Sequence, residues 1–266
     1  MGRRLGQHFL RSKSIIDRIV AEAGLKEGEA VLEVGPGEGV LTERLLASGA
    51  HVTVIELDPH LCEKLLRRWG DEPRFRLVEG DVLKVDLSPE ELFGQPDAYA
   101  LIANLPYYLS SPLLFRLAAR RKSINRMLLM VQKEIADRLV AGVSQGKAYG
   151  SLGIAAQLAF EMRQCFTVPP GAFSPPPKVD SAVVAFHPRE VRLTQEQENR
   201  YQTHLKQLFS ARRKVMLSTL KRQNPAEMEA LTAAACNELE ALVGRSRPDA
   251  LSPDQHLQVF QILSSK

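Results

Sequence analysis

Short apolar runs and amphipathic stretches alternate along the first two thirds of the chain. Residues 12–24 have the apolar spacing of a helix, with Ser12 or Ser14 as its cap and Gly24 as its end. The runs AVLEVGPGEG and HVTVIELD predict strands, and VLTERLLASGA between them has helical spacing. This order of strand, glycine-rich turn, helix and strand predicts a βαβ unit.

The alternation continues to about residue 190. Further strands are predicted in FRLVEGD, AYALIANLPYY, MLLMVQKE and SAVVAFHP, and helices in HLCEKLLRRWG and SPLLFRLAARR. The segment SLGIAAQLAFEM fits either a helix or a strand. Repeated β/α alternation predicts an α/β, Rossmann-like domain, with a mainly parallel sheet and helices on both of its faces.

After residue 190 only helical patterns remain. One apolar helix face is expected in this part, formed by Leu205, Leu208, Phe209, Met216 and Leu220. We therefore predict two domains, an α/β domain over 1–190 and a small all-helical domain over 191–266. The chain has 266 residues with 44% hydrophobic content, which suffices for normal cores.

The basic residues are clustered, although the net charge is only +4. Acidic residues are absent from 113–133 and from 205–222, which carry six Lys or Arg each, and the N-terminus has five cations and one acid up to Arg18. Clustered positive charge attracts phosphate and favours a nucleic-acid partner. For any single cluster, a solvated helix face is the alternative.

Other residue types exclude several classes of protein. The three cysteines are far apart and the six histidines are scattered, so we expect no disulfide framework and no metal site. The basic start lacks a following apolar segment, and no apolar run approaches the ~20 residues that span a bilayer. We expect a cytoplasmic protein without a membrane segment, and a monomer.

A glycine-rich turn follows the first predicted strand of the βαβ unit. Gly35, Gly37 and Gly39 allow a close approach of the backbone to a nucleotide-like ligand. In the dinucleotide fingerprint G-x-G-x-x-G the third glycine comes one position later than Gly39. The turn therefore indicates a nucleoside ligand without saying which, and a purely structural tight turn is the alternative.

Carboxylates stand at the ends of the next two strands. Glu56 is placed to accept hydrogen bonds from both ribose hydroxyls of a nucleoside. Asp81 suits an adenine amino group. An ordinary strand-end acid and a helix cap are the competing interpretations of Glu56 and Asp81.

The segment Asn104-Leu105-Pro106-Tyr107 follows the fourth strand and indicates chemistry on an aromatic amine. Such an amine is a poor nucleophile because its lone pair is delocalised into the ring. The Asn104 side-chain oxygen and a backbone carbonyl of Leu105 or Pro106 can accept its hydrogens, and Tyr107 offers a face for an extruded base. Positioning and electrostatics then supply most of the rate.

A proline-rich segment, FSPPPKVDS from residue 173, predicts a stiff extended loop. Phe173 is placed to cover the other face of the base, and Lys178 to meet a phosphate. A rigid connector with a buried Phe is the alternative. The predicted catalytic set is thus Asn104, Leu105, Pro106, Tyr107 and Phe173.

Taken together, these motifs resemble the KsgA/RsmA family of small-subunit (16S) ribosomal RNA adenine dimethyltransferases over essentially the whole chain. The matching pieces are GQHFL (6–10), EVGPGEG (33–39), VIELD (54–58), EGDVL (79–83), NLPYYLSSPLL (104–114), FSPPPKVDSAV (173–183) and LFSARRK (208–214). Two positions depart from the usual family pattern, His8 in place of Asn and Tyr108 in place of a polar residue.

The resemblance implies a methyltransferase that uses S-adenosylmethionine to dimethylate two adjacent adenosines near the 3′ end of small-subunit rRNA, with a C-terminal helical RNA- or ribosome-binding domain. The cofactor residues that it implies are His8, Leu10, Gly35, Gly37, Glu56, Asp81, Val82 and Asn104. From the charge clusters we predict RNA contacts by Arg116, Arg120, Arg121, Lys122, Lys178, Arg212, Arg213, Lys214 and Arg222. The cations at 212–214 are expected on a helix whose other face holds Phe209 and Met216.

Three other functions compete with this one. A large-subunit (23S) dimethyltransferase of the erythromycin-resistance class has a similar core. A non-catalytic ribosome-assembly or transcription factor would keep the fold without turnover. A nicotinamide dehydrogenase is disfavoured by the position of Gly39 and by the lack of an evident acid–base pair for a substrate.

Overall fold

The computed structural model describes residues 8–94, 98–106, 109–143, 145–190 and 193–264. Within these ranges a seven-stranded sheet has the order β4-β3-β2-β5-β6-β9-β7. Its strands are β2 (Ala30–Val34), β3 (His51–Glu56), β4 (Phe75–Glu79), β5 (Tyr99–Asn104), β6 (Ile124–Gln132), β7 (Phe160–Val168) and β9 (Ser181–Pro188). The first five in this list are parallel, and β9 pairs antiparallel with both β6 and β7. The predicted α/β fold with a mainly parallel sheet is confirmed.

The helices of the described residues follow in chain order. They are α1 (Lys13–Ala23), α2 (Val40–Ala47), α3 (Pro59–Trp69), α4 (Pro89–Phe93), α5 (Ser110–Ala119), α6 (Lys133–Val140), α7 (Ser151–Ala159), α8 (Gln195–Ser210), α9 (Met216–Gln223), α10 (Pro225–Glu229), α11 (Ala233–Val243) and α12 (Pro253–Ser264). Helix α1 ends at Gly24 with φ of 54°, and Asp58 caps α3 by accepting from the His60 N–H. No helix in the described ranges is long and apolar enough to cross a bilayer.

A second, two-stranded sheet joins segments far apart in the sequence. Strand β1 (Phe9–Leu10) pairs antiparallel with β8 (Phe173–Ser174), so that Leu10 lies opposite Phe173. The Arg11 and Ser12 amides extend this pairing by donating to the Ala172 carbonyl. The sequence analysis did not predict this sheet, because two-residue strands have no periodicity to detect.

The chain divides into two structural units. The first is Met1–Ala136 with Phe160–Pro188, and the second is Asp137–Ala159 with Arg189–Lys266. The predicted boundary near 190 matches one division, but the prediction placed 137–159 in the first domain. Tyr149 shows the reason for the difference: it is fully buried and its hydroxyl donates to the Leu251 carbonyl at 2.6 Å, within the second unit.

The second unit has its own hydrophobic core. Leu208, Met216, Leu220, Leu239 and Val259 are fully buried together. Phe209 packs against this cluster, but the helix predicted through 205–220 ends at Ser210 and restarts at Met216. The expected single apolar helix face is therefore shared between α8 and α9, because its spacing continues across the intervening turn.

Arg126, one of the cations of the 113–133 cluster, is a structural residue of the first unit. Its guanidinium donates to both Glu29 carboxylate oxygens at 2.7 and 2.8 Å and to the Ala23 and Gly24 carbonyls at the end of α1. Burial alone would raise the pKa of Glu29, but the hydrogen bonds from Arg126 hold it below its ordinary value. The pair therefore fastens α1 to the start of β6.

Replacing Arg126 by Met will destabilise the protein by about 3 kcal/mol, because it leaves a largely buried carboxylate unpaired. Urea unfolding followed by circular dichroism measures this loss. The double variant Arg126→Met/Glu29→Gln should recover part of it. The control is Arg67→Met, which removes an exposed ion pair with Glu63 and should change stability by less than ~1 kcal/mol. Equal losses for both single variants would contradict the structural role.

Candidate active site

The carboxyl edge of the parallel sheet carries the residues of interest. Strands β2 and β5 are neighbours, with Val34 opposite Ala103, while the chain continues from β2 to β3 on one side and from β5 to β6 on the other. This is the topological switch point of the sheet, where open α/β folds bind ligands. The turn after β2 and Asn104 at the end of β5 are thus brought to the same crevice.

The glycine turn lies directly after β2. Gly35 and Gly37 have φ of 66° and 59°, values that side-chain-bearing residues rarely adopt. The Gly35 amide donates to the Ile55 carbonyl at 2.9 Å, which holds the turn against β3. A Cβ at Gly35 would enter open space, so a ligand can approach the backbone there. This geometry fits the close backbone contact that a nucleoside cofactor needs.

Glu56 at the end of β3 is held in one orientation. It is 7% exposed, and its Oε1 accepts from the Leu57 and Asp58 amides at 2.9 and 3.0 Å. Its Oε2 accepts from the Gly37 amide at 3.3 Å, which connects it to the glycine turn. The carboxylate is therefore preorganised beside Gly37, and its remaining lone pairs suit the two ribose hydroxyls of a nucleoside.

Asp81 lies just beyond β4, the next strand along this edge. Its Oδ1 accepts from the Leu83 amide at 2.9 Å, and its backbone carbonyl accepts from Lys84 and Val85. Asp81 is half-buried and Val82 is buried. The Asp81 side chain thus stabilises a tight turn, and it also lies beside the strand that ends in Glu56. The capping interpretation and the cofactor role are therefore compatible.

Asn104 is the last residue of β5 and is half-buried, whereas Leu105 is buried. The Leu105 amide donates to the Met130 carbonyl at 3.0 Å, which fixes the peptide after Asn104. The Pro106 carbonyl accepts from the Leu109 amide at 2.9 Å and so closes a turn. The Leu105 carbonyl is therefore better placed than the Pro106 carbonyl to accept, together with the Asn104 side chain, the hydrogen bonds that an amine donates. Tyr107 and Tyr108 lie outside the described residues.

The small β1–β8 sheet stands next to the glycine turn. The Phe9 ring lies 3.0 Å from where a Cβ at Gly37 would be, and His8 donates from Nδ1 to the Pro175 carbonyl at 2.7 Å. Leu10 and Phe173 are both buried in the core of the first unit. With 6% of its surface exposed, Phe173 forms a wall of the fold, so the predicted open stacking face is absent in this conformation and the buried-Phe alternative fits better.

Comparison with known proteins decides the family. The model of the family described as "Ribosomal RNA adenine dimethylase" matches residues 2–264. The chain belongs to this family. It is 42% identical to Ribosomal RNA small subunit methyltransferase A of Thermosynechococcus vestitus, covering 98% of this chain and 96% of that one. The protein of the same name from Pseudomonas putida is 39% identical, with 94% and 90% covered.

Solved structures agree with this assignment. A dimethyladenosine transferase from Plasmodium falciparum superposes with a TM-score of 0.80 at 29% identity, covering 95% of this chain and 96% of that one. The 23S rRNA methyltransferase ErmE gives 0.68 at 28% identity, with 97% and 100% covered. This member of the dimethylase family is an S-adenosylmethionine-dependent methyltransferase, as the residue motifs predicted.

The predicted basic cluster on α5 is largely engaged within the dimethylase fold. Arg116 donates to the Val82 and Val85 carbonyls, and Arg120 pairs with Asp86 at 3.0 Å. Arg121 is only 6% exposed and donates to the Ala118 carbonyl at the end of α5, so it is not available to RNA in this conformation. Lys122 is exposed. The sequence analysis missed these partners because it considered only acidic residues nearby in the sequence, and not backbone carbonyls or acids on other elements.

The second predicted cluster is not helical, contrary to expectation. Residues 211–214 form the turn between α8 and α9. Arg212 anchors this turn by donating to the Gly146 and Lys147 carbonyls and to Asp249. Arg213, Lys214 and Arg222 are exposed, as is Lys178 of the first unit. Arg212 therefore has a structural role, and the exposed cations stay candidates for RNA.

Glu33, a residue of the glycine motif that the site prediction left out, is buried near the end of β2. Burial, with a smaller contribution from the charge of Glu56, raises the pKa of its carboxyl to about 8. The hydrogen bond that Thr42 Oγ1 donates at 2.6 Å opposes this shift. Glu33 is therefore protonated at neutral pH. The sequence signal that could have identified Glu33 is an acidic residue inside the apolar run AVLEV.

Among the described residues, His, Cys, Asp and Glu form no group that could hold a metal.

Proposed function

We propose that this dimethylase methylates the exocyclic amines of two adjacent adenosines near the 3′ end of small-subunit (16S) rRNA, during small-subunit biogenesis. The observation that carries the proposal is the placement of Asn104 and the fixed Leu105 peptide beside the glycine turn of β2. The names of the curated relatives, which specify the small ribosomal subunit, support this choice of substrate. Action as a monomer in the cytoplasm stays a prediction from composition.

One group of residues suits the cofactor, and another suits the target adenine. Gly35, Gly37, Glu56 and Asp81 suit the nucleoside half of the cofactor through backbone approach and carboxylate acceptors. When bound, S-adenosylmethionine supplies an electrophilic methyl on a positively charged sulfur. Because the leaving group is already activated, the protein needs no strong general base.

Asn104 and Leu105 act on the other ligand. The Asn104 side-chain oxygen and the Leu105 carbonyl accept the two amine hydrogens of an adenine, which shifts the nitrogen toward a tetrahedral, more nucleophilic form. The Leu105 amide, between the two acceptors, donates to the Met130 carbonyl, so the backbone that carries them requires little reorganisation during the reaction. Tyr107 remains the predicted stacking partner for the extruded base.

A basic corner of the second unit is the surface we propose for rRNA. It consists of the exposed cations Lys147, Arg213, Lys214, Arg245 and Arg247. The Arg212 anchor fixes the 211–214 turn against Gly146 and Lys147, and the Met216 amide donates to the Ser246 carbonyl at 2.8 Å. Arg212 also pairs with Asp249 at 3.2 Å. Exposed cations on a backbone that is held in this way suit a phosphate backbone.

Replacing Arg213 and Lys214 by Ala will weaken rRNA binding and flatten its salt dependence by about 0.7–0.9 log unit per lost contact. Filter binding over a range of KCl concentrations measures the slope. The matched control removes two exposed cations from α3, with Lys64→Ala/Arg67→Ala, and should leave the slope unchanged. If the two double variants lose the same slope, the basic corner is ordinary solvated surface.

Transfer of labelled methyl groups tests the function itself. The substrates are small and large ribosomal subunits that lack these modifications, with the modified nucleotides then mapped. We expect about four methyls per small subunit on two adjacent adenosines, two on each, as the family resemblance predicts. Label on the large subunit alone would assign the protein to the erythromycin-resistance class. Absence of label on both, with cofactor still bound, would favour the non-catalytic factor.

A further inference from the structure

Gly39, the third glycine of the motif, does not match the dinucleotide fingerprint and needs its own explanation. It caps α2 with φ of 78°. A Cβ at this position would lie 2.4 and 2.5 Å from Cζ3 and Cη2 of Trp69, and 2.9 Å from Leu65 Cδ2. No side chain fits there, because the far edge of the indole lies directly on the backbone. Gly39 therefore makes room for Trp69, whereas Gly35 faces open space.

Trp69, at the end of α3, also contacts two other side chains. Its ring lies 5.8 Å from the Phe75 ring, and the Arg68 guanidinium carbon is 4.4 Å from its centroid. Arg68 also pairs with Glu43, in the first turn of α2, at 2.9 Å. The end of α3 thus holds the start of α2 at two points, Gly39 and Glu43.

This contact is transmitted directly to the cofactor turn. The Gly39 amide donates to the Pro36 carbonyl at 3.0 Å, and the Glu43 amide donates to the Gly39 carbonyl at 3.0 Å. Gly35 and Gly37 are therefore separated from the indole by one hydrogen-bonded turn. A shift of Gly39 moves the backbone that approaches the cofactor, and small displacements of positioning groups are costly.

We propose that Trp69 is a positioning residue for the cofactor, acting through Gly39 and the first turn of α2. The proposal rests on the cofactor roles of Gly35 and Gly37. It assigns the third glycine of this chain to packing rather than to ligand contact. It also makes the single tryptophan of the chain a reporter of the cofactor turn.

The test measures binding of S-adenosylhomocysteine by calorimetry, separately from catalysis. Trp69→Leu should raise its Kd roughly 10-fold, and Gly39→Ala should raise it at least as much because the new Cβ meets the indole. In the double variant Gly39→Ala/Trp69→Leu the contact with the indole is gone, while the Leu65 contact and the strain of Ala at a φ of 78° remain. The two effects should therefore be less than multiplicative. The KM for the cofactor should rise while kcat and the Kd for rRNA stay within about twofold of wild type. Saturating ligand should change the emission of Trp69 in the wild type.

The control is Phe75→Leu, which removes the ring beside Trp69 and leaves the Gly39 contact. It should lower the unfolding temperature while the Kd stays within about twofold of wild type. An unchanged Kd in Trp69→Leu, multiplicative effects in the double variant, or equal weakening in Phe75→Leu would each overturn the positioning role. Failure of the wild type to bind S-adenosylhomocysteine would overturn the cofactor assignment as well, which separates the two failures.

Discussion

Replacing Asn104 by Ala will lower methyl transfer about 10²–10³-fold or more, while the Kd for S-adenosylhomocysteine changes little. The side-chain oxygen accepts a hydrogen of the target amine, and removing one preorganised partner of developing charge typically has an effect of this size. The cofactor turn after β2 keeps its own hydrogen bonds to Ile55 and Glu56 in this variant. Single-turnover transfer and calorimetry give the two quantities.

The matched control for this variant is Asn237→Ala, an exposed amide on α11 in the second unit. It should retain wild-type transfer and cofactor binding. Parallel loss of binding and transfer in Asn104→Ala would show that Asn104 acts through the cofactor rather than on the amine. Full activity of Asn104→Ala would remove the acceptor role and leave the Leu105 carbonyl as the principal partner.

The placement of the candidate cofactor residues along one edge of the sheet was predictable because it depends on strand ends. Gly35, Glu56, Asp81 and Asn104 each follow an apolar run, and parallel strands bring their carboxyl ends to one edge. The choice between the Leu105 and Pro106 carbonyls was not predictable, since it depends on the turn that the Leu109 amide closes. The burial of Phe173 likewise depends on its pairing with Leu10, more than 160 positions away.

The basic clusters show a different limit of sequence reasoning. Lys122 and Arg213 are exposed, whereas Arg121, Arg126 and Arg212 bind carbonyls or carboxylates of the fold. A count of charges along the chain treats all of them alike, because it detects neither backbone carbonyl partners nor acids on other elements. Long guanidinium side chains reach backbone carbonyls as readily as phosphates, so charge density indicates the kind of partner and not the contacting residue.

The division into units was missed for a related reason. Residues 151–162 fitted a helix or a strand, and the structure has both, α7 followed directly by β7. The helix belongs to the second unit and the strand to the first. Apolar spacing shows that each segment has a buried face, but the spacing does not specify which core that face joins.

Acid will destabilise the protein between about pH 6.5 and pH 4 through two histidines of the second unit. His256 is fully buried and His204 is 6% exposed. Burial lowers the pKa of both to about 4. The charge of His256 contributes to the lowered pKa of His204, whereas the Pro248 carbonyl opposes the shift at His256. Both values lie below the ordinary value near 6.5. Between these limits the unfolded chain binds more protons at these two sites, so their contribution to stability falls as pH falls.

Each histidine contributes a loss of about 3 kcal/mol over this window, since one pKa unit corresponds to about 1.4 kcal/mol. Urea unfolding at pH 7.5, 6, 5 and 4.5 measures the slope. His204→Phe should reduce the pH dependence of stability by nearly one proton. It should not lower the stability at neutral pH, because the buried His204 Nε2 has no hydrogen-bond partner within the described structure and the ring packs against Phe260. His60→Gln, at an exposed position, is the control and should keep the wild-type slope. A His204→Phe slope equal to that of wild type would mean that His204 titrates alike in the folded and unfolded chains.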